Sequence, residues 1–313
     1  SRSAGQFSSR YGKFEDMVAA MRVVSPARTF RTGLWAEGED LGPWVMGSEG
    51  ALGIITEMLV RVVRVPENRW LRGYRFPDVA AAWDAMRRVM QAELHPCALR
   101  LYDAVDTRIG GRGKGAKKGP GVLSALTAAV NAAPGAKEMS LRLPLSVPRL
   151  ANSLARWGGK ECVLIAGWEG TPESVAILSR HGHQILCEQG TDLGAEPGEH
   201  WYTHRHDVSY KLSPLFGRGV FADTMEVAST WSRLPELDRA VRAALGAHCF
   251  VMAHYSHVYR EGCSIYFSFA GVGELPVYDR AWAAALAGAS AAGGTVAHHH
   301  GVGVSKMLAA ARE

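Results

Sequence analysis

What this 313-residue sequence lacks narrows it first. No apolar run approaches the roughly 20 residues that cross a bilayer as a helix, so no spanning helix is expected. No charged, then apolar, then small signal segment opens it. The five cysteines, at 97, 162, 187, 249 and 263, are odd in number and scattered, with no C-x-x-C pair. That excludes a disulfide framework or a zinc ribbon and reads as free thiols in a reducing, cytoplasmic compartment. Walker loops, G-x-G-x-x-G fingerprints and H-E-x-x-H pairs are all missing. Charge of neither sign dominates: 35 Lys and Arg against 30 Asp and Glu leave +5. So mild an excess suits an anionic small ligand or an acidic membrane surface and gives no reason to invoke nucleic acid.

What is present is a chain long enough for two domains, with 47% hydrophobic residues to build their cores. It opens Ser1-Arg2-Ser3-Ala4-Gly5, without methionine and in loop-like composition, as a segment starting inside a domain would. High Ala, Arg and Gly usage suits a bacterial source. Short apolar runs about Ser25-Pro26 predict a hairpin or two short strands between 17 and 32. Then comes Gly47-Ser48-Glu49-Gly50-Ala51-Leu52-Gly53-Ile54-Ile55, a glycine turn into a strand. It is either a place where bare backbone lies against a phosphate or flat ring or a plain strand entry.

From residue 66 the character changes. A strand over 70–76, a helix capped by Asp78 with Val79, Trp83, Met86 and Met90 at helical spacing, and a strand over 97–102 predict a compact α+β unit. Arg100, between Leu99 and Leu101, either points to solvent or reaches a polar site. The Gly/Lys tract 110–121 is either a mobile basic flap for an anionic surface or a solvated loop. A helix is expected at 125–133, a buried strand at 162–168, and a helix begun by Thr171-Pro172. The same alternation returns as a strand at 221–229, a helix at 234–247, a hairpin at 250–258 and 264–269, and a helix at 275–291. The second domain therefore reads as a doubled α+β sheet.

Chemistry concentrates near the end. Gly293-Gly294-Thr295-Val296-Ala297-His298-His299-His300-Gly301 puts three switchable imidazoles between glycine turns. If 295–300 is extended, His298 and His300 face one way and His299 the other; a solvated surface run is the other reading. Tyr266, alternating with Ile265 and Phe267, is either a core tyrosine or a proton carrier whose pKa a cationic imidazole would lower. His200, His204 and Asp207 have helical spacing, but no metal is assigned to them.

Together these stretches resemble the alkyldihydroxyacetonephosphate synthase family within the vanillyl-alcohol-oxidase type of FAD-linked oxidases. G-S-E-G-A-L-G-I-I-T-E and S-R-S-A-G match the flavin-domain signatures. H-V-Y-R-E-G-C-S-I-Y-F-S-F-A (257–270) and G-G-T-V-A-H-H-H-G-V-G (293–303) match the synthase more specifically. The resemblance implies the C-terminal portion of a PCMH-type FAD-binding domain over 1–66. A ferredoxin-like, doubled α+β cap or substrate domain follows over 67–313, with a flexible basic loop at 108–121.

The resemblance further implies FAD contacts at Ser1, Arg2, Ser3, Ala4, Glu49, Gly50, Ala51, Leu52, Gly53, Ile54 and Ile55. The catalytic set is Tyr266 with His298, His299 and His300, and Arg100, Arg205, Lys211 and His257 lie about the substrate. The implied reaction exchanges the acyl group of acyl-dihydroxyacetone phosphate for a fatty alcohol with no net flavin redox, in a homodimer with possible peripheral membrane contact. One departure stands out: Leu212, in Tyr210-Lys211-Leu212-Ser213, occupies the position of a family arginine. Lys211 or Arg205 would have to compensate, and a lysine lacks the bidentate fork. That departure keeps an FAD-linked oxidase or dehydrogenase of a 2-hydroxy acid, such as D-lactate or glycolate, as the alternative. With the first part of a flavin domain not represented before Ser1, weak FAD retention by these 313 residues alone is expected.

Overall fold

The computed structural model describes residues 5–110, 144–207 and 219–311. Two short helices, α1 (Ser8–Tyr11) and α2 (Phe14–Met17), lead into β1 (Val18–Val24), which pairs antiparallel with β2 (Thr29–Gly33). The expected turn is closed by Ser25, whose amide and hydroxyl both donate to the Arg28 carbonyl. After α3 (Gly42–Val45), β3 (Ile54–Val60) adds to the other side of β1, giving the order β2-β1-β3. Met21, Val23 and Val45 form a small core here, while β3 leaves Ile54, Ile55, Leu59 and Val60 exposed.

The larger sheet begins with β4 (Asn68–Phe76), α4 (Val79–Gln91) and β5 (Ala98–Tyr102), then α5 (Ala104–Ile109) and α6 (Pro148–Trp157). β6 (Cys162–Gly170), α7 (Pro172–Cys187), β7 (Thr191–Gly194) and α8 (Glu196–His204) complete one half. β8 (Val220–Thr230), α9 (Leu234–Gly246), β9 (Phe250–Val258), β10 (Gly262–Val272) and α10 (Leu275–Ala291) build the other, followed by α11 (Gly303–Ala310). The predicted starts are physical. Asp78 accepts from the Ala81 amide and Thr171 from that of Ser174, each satisfying a donor the helix leaves open. The helix expected at 125–133 lies outside the described residues.

The seven strands run β7-β4-β6-β5-β9-β10-β8, all antiparallel. β7-β4-β6-β5 is the fourth-first-third-second order of a ferredoxin-like unit. The second half repeats it as β8-β10-β9, with an isolated bridge from Thr295 to Ala228 standing where its fourth strand would be. The halves join along β5 and β9 at Leu101–Tyr255 and Tyr102–His254. The fold is thus α+β, with a doubled ferredoxin-like sheet.

Alternation then sorts the side chains. Leu99, Leu101, Val227, Ile265, Phe267 and Phe269 enter the core under the helices, each worth about 1.5–3 kcal/mol when fully buried. Trp168, fully buried, donates from Nε1 to the Leu94 carbonyl at 2.9 Å. Gly182 lets α7 pass over that indole, since a Cβ there would lie 2.1 Å from the Trp168 ring. Arg100, Tyr102, His254, Ser256, Ser264, Tyr266 and Glu226 share the opposite face. In the first half α8 covers that face through Trp201; in the second, Val105 of α5 and Ala151 and Ala155 of α6 pack on Val220 and Phe250 at one end, and the stretch around Tyr266 is polar.

One expectation fails here. The histidine run is not a strand: pairing stops at Thr295, and 298–300 are bends. The physical reason is Glu226, whose Oε2 takes the His298 amide proton at 3.1 Å, so a side chain replaces the next ladder partner. Strand alternation therefore does not apply, and His298 and His299 approach the same carboxylate.

Candidate active site on the polar face of the sheet

β10 carries Tyr266 onto the polar face, directly opposite Glu226 of β8 and His254 of β9. Its hydroxyl lies 2.6 Å from His299 Nε2. His254 stacks on the Tyr266 ring at 4.7 Å, and the rings of His257 and His300 stand 5.7 and 5.5 Å away. Tyr266, His257 and His299 are each buried.

His257 reaches this set through a distortion. Val258 pairs with Cys263 but Ser256 pairs with Ser264, so His257 is the extra residue of a β-bulge, at φ 50°. A bulge re-aims a side chain, and here it brings His257 onto the face of His254 and Ser256. Its Nδ1 meets the Ser8 hydroxyl at 2.7 Å. Burial, then the neighbouring His299 and His298, depress its pKa to about 2, so the ring stays neutral. Burial likewise lowers the pKa values of His298 and His300. Arg100 is also on this face, donating to the Tyr102 hydroxyl at 2.9 Å.

Tyr266 joins its two sequence readings, being both buried and within reach of an imidazole. Burial first, then the Glu226 charge, raise its pKa, and Arg100 only partly opposes them. Because burial keeps His257, His298 and His300 from charging readily, they do not supply the cation that would favour phenolate. The phenol is protonated at rest, with His299 placed to take its proton.

Glu226 went unrecognised in the sequence, where it reads as one polar residue in F-A-D-T-M-E-V; only the β8–β10 register reveals it. It is fully buried, and burial alone would raise its pKa, but the His299 contact and nearby Lys306 hold it at about 2. Lys306 Nζ donates to the Glu226 backbone carbonyl at 3.0 Å. Glu226, His298 and His299 each bring one ligand atom within 4.8 Å of the others, the spacing of a possible metal set. The helical trio is different: His204 Nδ1 donates to the His200 carbonyl at 2.9 Å and the two rings lie 4.3 Å apart on α8, with no joint ligand geometry that includes Asp207.

The glycine turn abuts the histidines. Glu49, itself at φ 53°, accepts from the Val302 and Gly303 amides at 2.5 and 3.0 Å. A Cβ on Gly301 would lie 2.8 Å from the same carboxylate. A cavity of about 470 Å³ is lined by Gly47, Glu49, Gly50, Gly53, Ile54 and Ile55 among others. No atom lies within 4 Å of an ideal Cβ on Gly50, and Leu52 is exposed, as are Ala51 and Ile54. Open backbone beside apolar side chains, adjoining a tyrosine–imidazole cluster, fits the flat ring of a flavin, so these residues are suited to hold FAD. A second cavity, about 740 Å³, opens beside His298, with Lys13, Arg233, Ser8 and Tyr259 in its wall.

Other expected residues lie apart. Arg205 sits with its guanidinium 4.0 Å from the Tyr202 ring and donates to the Tyr202 carbonyl, on the α8 side. Ser1, Arg2, Ser3, Ala4, Lys211 and Leu212 are outside the described residues, as is most of the basic loop.

Fold and site together define a flavin-linked oxidase cap. The family of FAD linked oxidases, C-terminal domain, matches residues 65–313, and the chain belongs to it. Among curated relatives, the alkyldihydroxyacetonephosphate synthase of Trypanosoma brucei brucei is 28% identical over 96% of this chain and 49% of its own length. That of Dictyostelium discoideum gives the same three figures, 28%, 96% and 49%. A solved alkyldihydroxyacetonephosphate synthase structure superposes with TM-score 0.70 at 25% identity, covering 94% of this chain and 52% of that one. The chain spans about half the length of the curated relatives it matches.

Proposed function

We propose that this chain forms the cap and part of the flavin-facing surface of an FAD-dependent alkyldihydroxyacetonephosphate synthase. The enzyme would exchange the acyl group of an acyl-dihydroxyacetone phosphate for a long-chain alcohol. The observation that carries the reading is the buried contact of the Tyr266 hydroxyl with His299, beside the junction of the glycine turn with the histidine run. Support comes from the two synthase relatives, each aligned over 96% of the chain.

When bound, the flavin would be held by the glycine turn about Glu49 and Gly50 and would supply an electron-accepting ring. The residues of this chain manage the proton. Tyr266 rests protonated; to take the C1 proton it passes its own to His299 Nε2, 2.6 Å away. His257, held neutral by burial, adds a polar but uncharged wall. The 740 Å³ cavity beside His298 falls within the range of about 300–1,000 Å³ typical of small-molecule sites and offers Lys13 and Arg233 to an anionic headgroup.

The test uses flavin-loaded protein with palmitoyl-dihydroxyacetone phosphate and labelled hexadecanol. Ether product with release of fatty acid is expected, and Tyr266→Phe lowers its rate about 10²–10⁴-fold. No ether, with the flavin bleached by D-lactate or glycolate instead, would place the chain among the oxidases.

A further inference from the structure

Glu226 is, among the described residues, the carboxylate in contact with the histidine run. Its Oε2 holds the His298 amide and its backbone carbonyl holds Lys306. Its Oε1 is buried and makes no hydrogen bond of regular geometry among the described residues. That oxygen lies 3.5 Å from His299 Nδ1 and 3.7 Å from His298 Nδ1, while the two nitrogens are 3.2 Å apart. A buried carboxylate oxygen without a donor is costly, and the donors at hand are those two imidazoles and the buried Ser264 hydroxyl.

Resting on the synthase reading above, we propose that Glu226 is a positioning residue that fixes the proton of His299 on Nδ1, leaving Nε2 as the acceptor for the Tyr266 hydroxyl. A neutral imidazole has one donor and one acceptor nitrogen. With the proton on Nε2, the Tyr266 hydroxyl would accept from His299 and turn its own proton away towards Ser256, and the Nδ1 lone pair would point at a carboxylate. With the proton on Nδ1 that conflict vanishes, and the hydroxyl donates to Nε2. In the proton step, the Tyr266 O–H bond breaks and a His299 Nε2–H bond forms. The phenolate oxygen takes the C1 proton, and the C–H electron pair stays with the substrate carbon. The imidazolium so formed faces the Glu226 carboxylate, which neutralises it inside a dry site, as carboxylates do for imidazoles in hydrolytic triads.

Nitrogen-15 NMR of histidine-labelled, flavin-loaded protein reads the tautomer directly, with His299→Gln identifying the resonances. The expected wild-type pattern is a protonated Nδ1 and an acceptor Nε2. Glu226→Gln, which can donate to Nδ1, inverts it, and Glu226→Asp retains it. In ether formation, Glu226→Gln lowers kcat about 10²-fold with KM nearly unchanged, and Glu226→Asp recovers most of the loss.

An Nε2–H tautomer in the wild type overturns the inference, and so does an unchanged pattern and kcat in Glu226→Gln. A divalent metal bound one-to-one and stripped by chelator with movement of both Nδ1 signals also overturns it, since a metal rather than a proton would then bridge the three side chains. If Glu226→Gln does not fold, the wild-type tautomer decides alone. If the expected tautomer is found but no ether is made, the reaction assignment fails while the positioning role stands.

Discussion

Replacing His257 with asparagine should make the protein less sensitive to acid. Asparagine tolerates the left-handed φ of 50° at this bulge and keeps a polar group towards the Ser8 hydroxyl, but it has no proton to bind. In the native protein burial holds the His257 pKa near 2, against 6.5 for the unperturbed ring. The unfolded chain therefore takes up a proton below about pH 6.5 that the folded chain refuses, and stability falls as pH drops. The contribution is complete above pH 6.5 and declines by about 1.4 kcal/mol per pH unit below it, roughly 3 kcal/mol by pH 4.5. His298 and His300 shift in the same direction, but they remain in both proteins and cancel in the comparison. The assay is urea unfolding of wild type and His257→Asn from pH 8 to about pH 4.5, with the difference in unfolding free energy plotted against pH. Whatever the gap at pH 8, it should move in favour of the variant by roughly 3 kcal/mol. Parallel curves would show that the folded protein protonates His257 readily, and the neutral wall assigned to it would be wrong.

Three other perturbations probe the frame around the site. Asp103 caps α5, accepts the Ala253 amide at 2.8 Å and pairs with Arg242 at 2.8 Å across the two halves. Arg242 keeps its second partner, Asp238, at 2.9 Å, so Asp103→Ala should cost about 1–3 kcal/mol in denaturant unfolding, chiefly because it leaves the buried Ala253 amide without an acceptor and removes the α5 cap. Gly182→Ala puts a methyl into the Trp168 ring and should lose about 1–3 kcal/mol, visible also as altered tryptophan fluorescence. Glu49→Ala removes the acceptor of the Val302 and Gly303 amides. Charge-assisted bonds are worth about 1.5–3 kcal/mol, so those two amides should exchange with solvent roughly 10–100-fold faster while β10 amides are unchanged.

Much of the architecture was readable because its signals are local. Asp78 and Thr171 mark helix starts through bonds three residues away, and α10 fills the range expected from its apolar spacing. Two strand-helix-strand runs were enough to expect a doubled sheet. The site was readable as a membership and not as a geometry. Tyr266, His257 and the histidine run carried recognisable motifs, yet the shape of the run depends on Glu226, 72 positions earlier. No periodicity within 295–300 carries that information. The bulge at His257 was equally hidden, since strand parity placed it away from His254 until the pairing with Cys263 and Ser264 was known. The tyrosine's protonation was not readable from the sequence, because the desolvation of Tyr266 and of His257, His298 and His300 is a property of packing alone.

The doubled sheet has one further consequence. Both halves present an equivalent face, but only one carries the tyrosine and imidazoles. The other is sealed by α8, which settles so closely that a Cβ on Gly198 would lie 2.9 Å from the Leu71 side chain and one on Gly73 would lie 2.7 Å from Pro197. Two glycines thus let one helix close on a surface whose counterpart in the other half carries the tyrosine and imidazoles. A designer who shortened α8 and replaced Trp201 would uncover a second groove beside the first, held on strands that already continue into the native site. New binding chemistry could be installed there while Tyr266 and its neighbours kept their own supports.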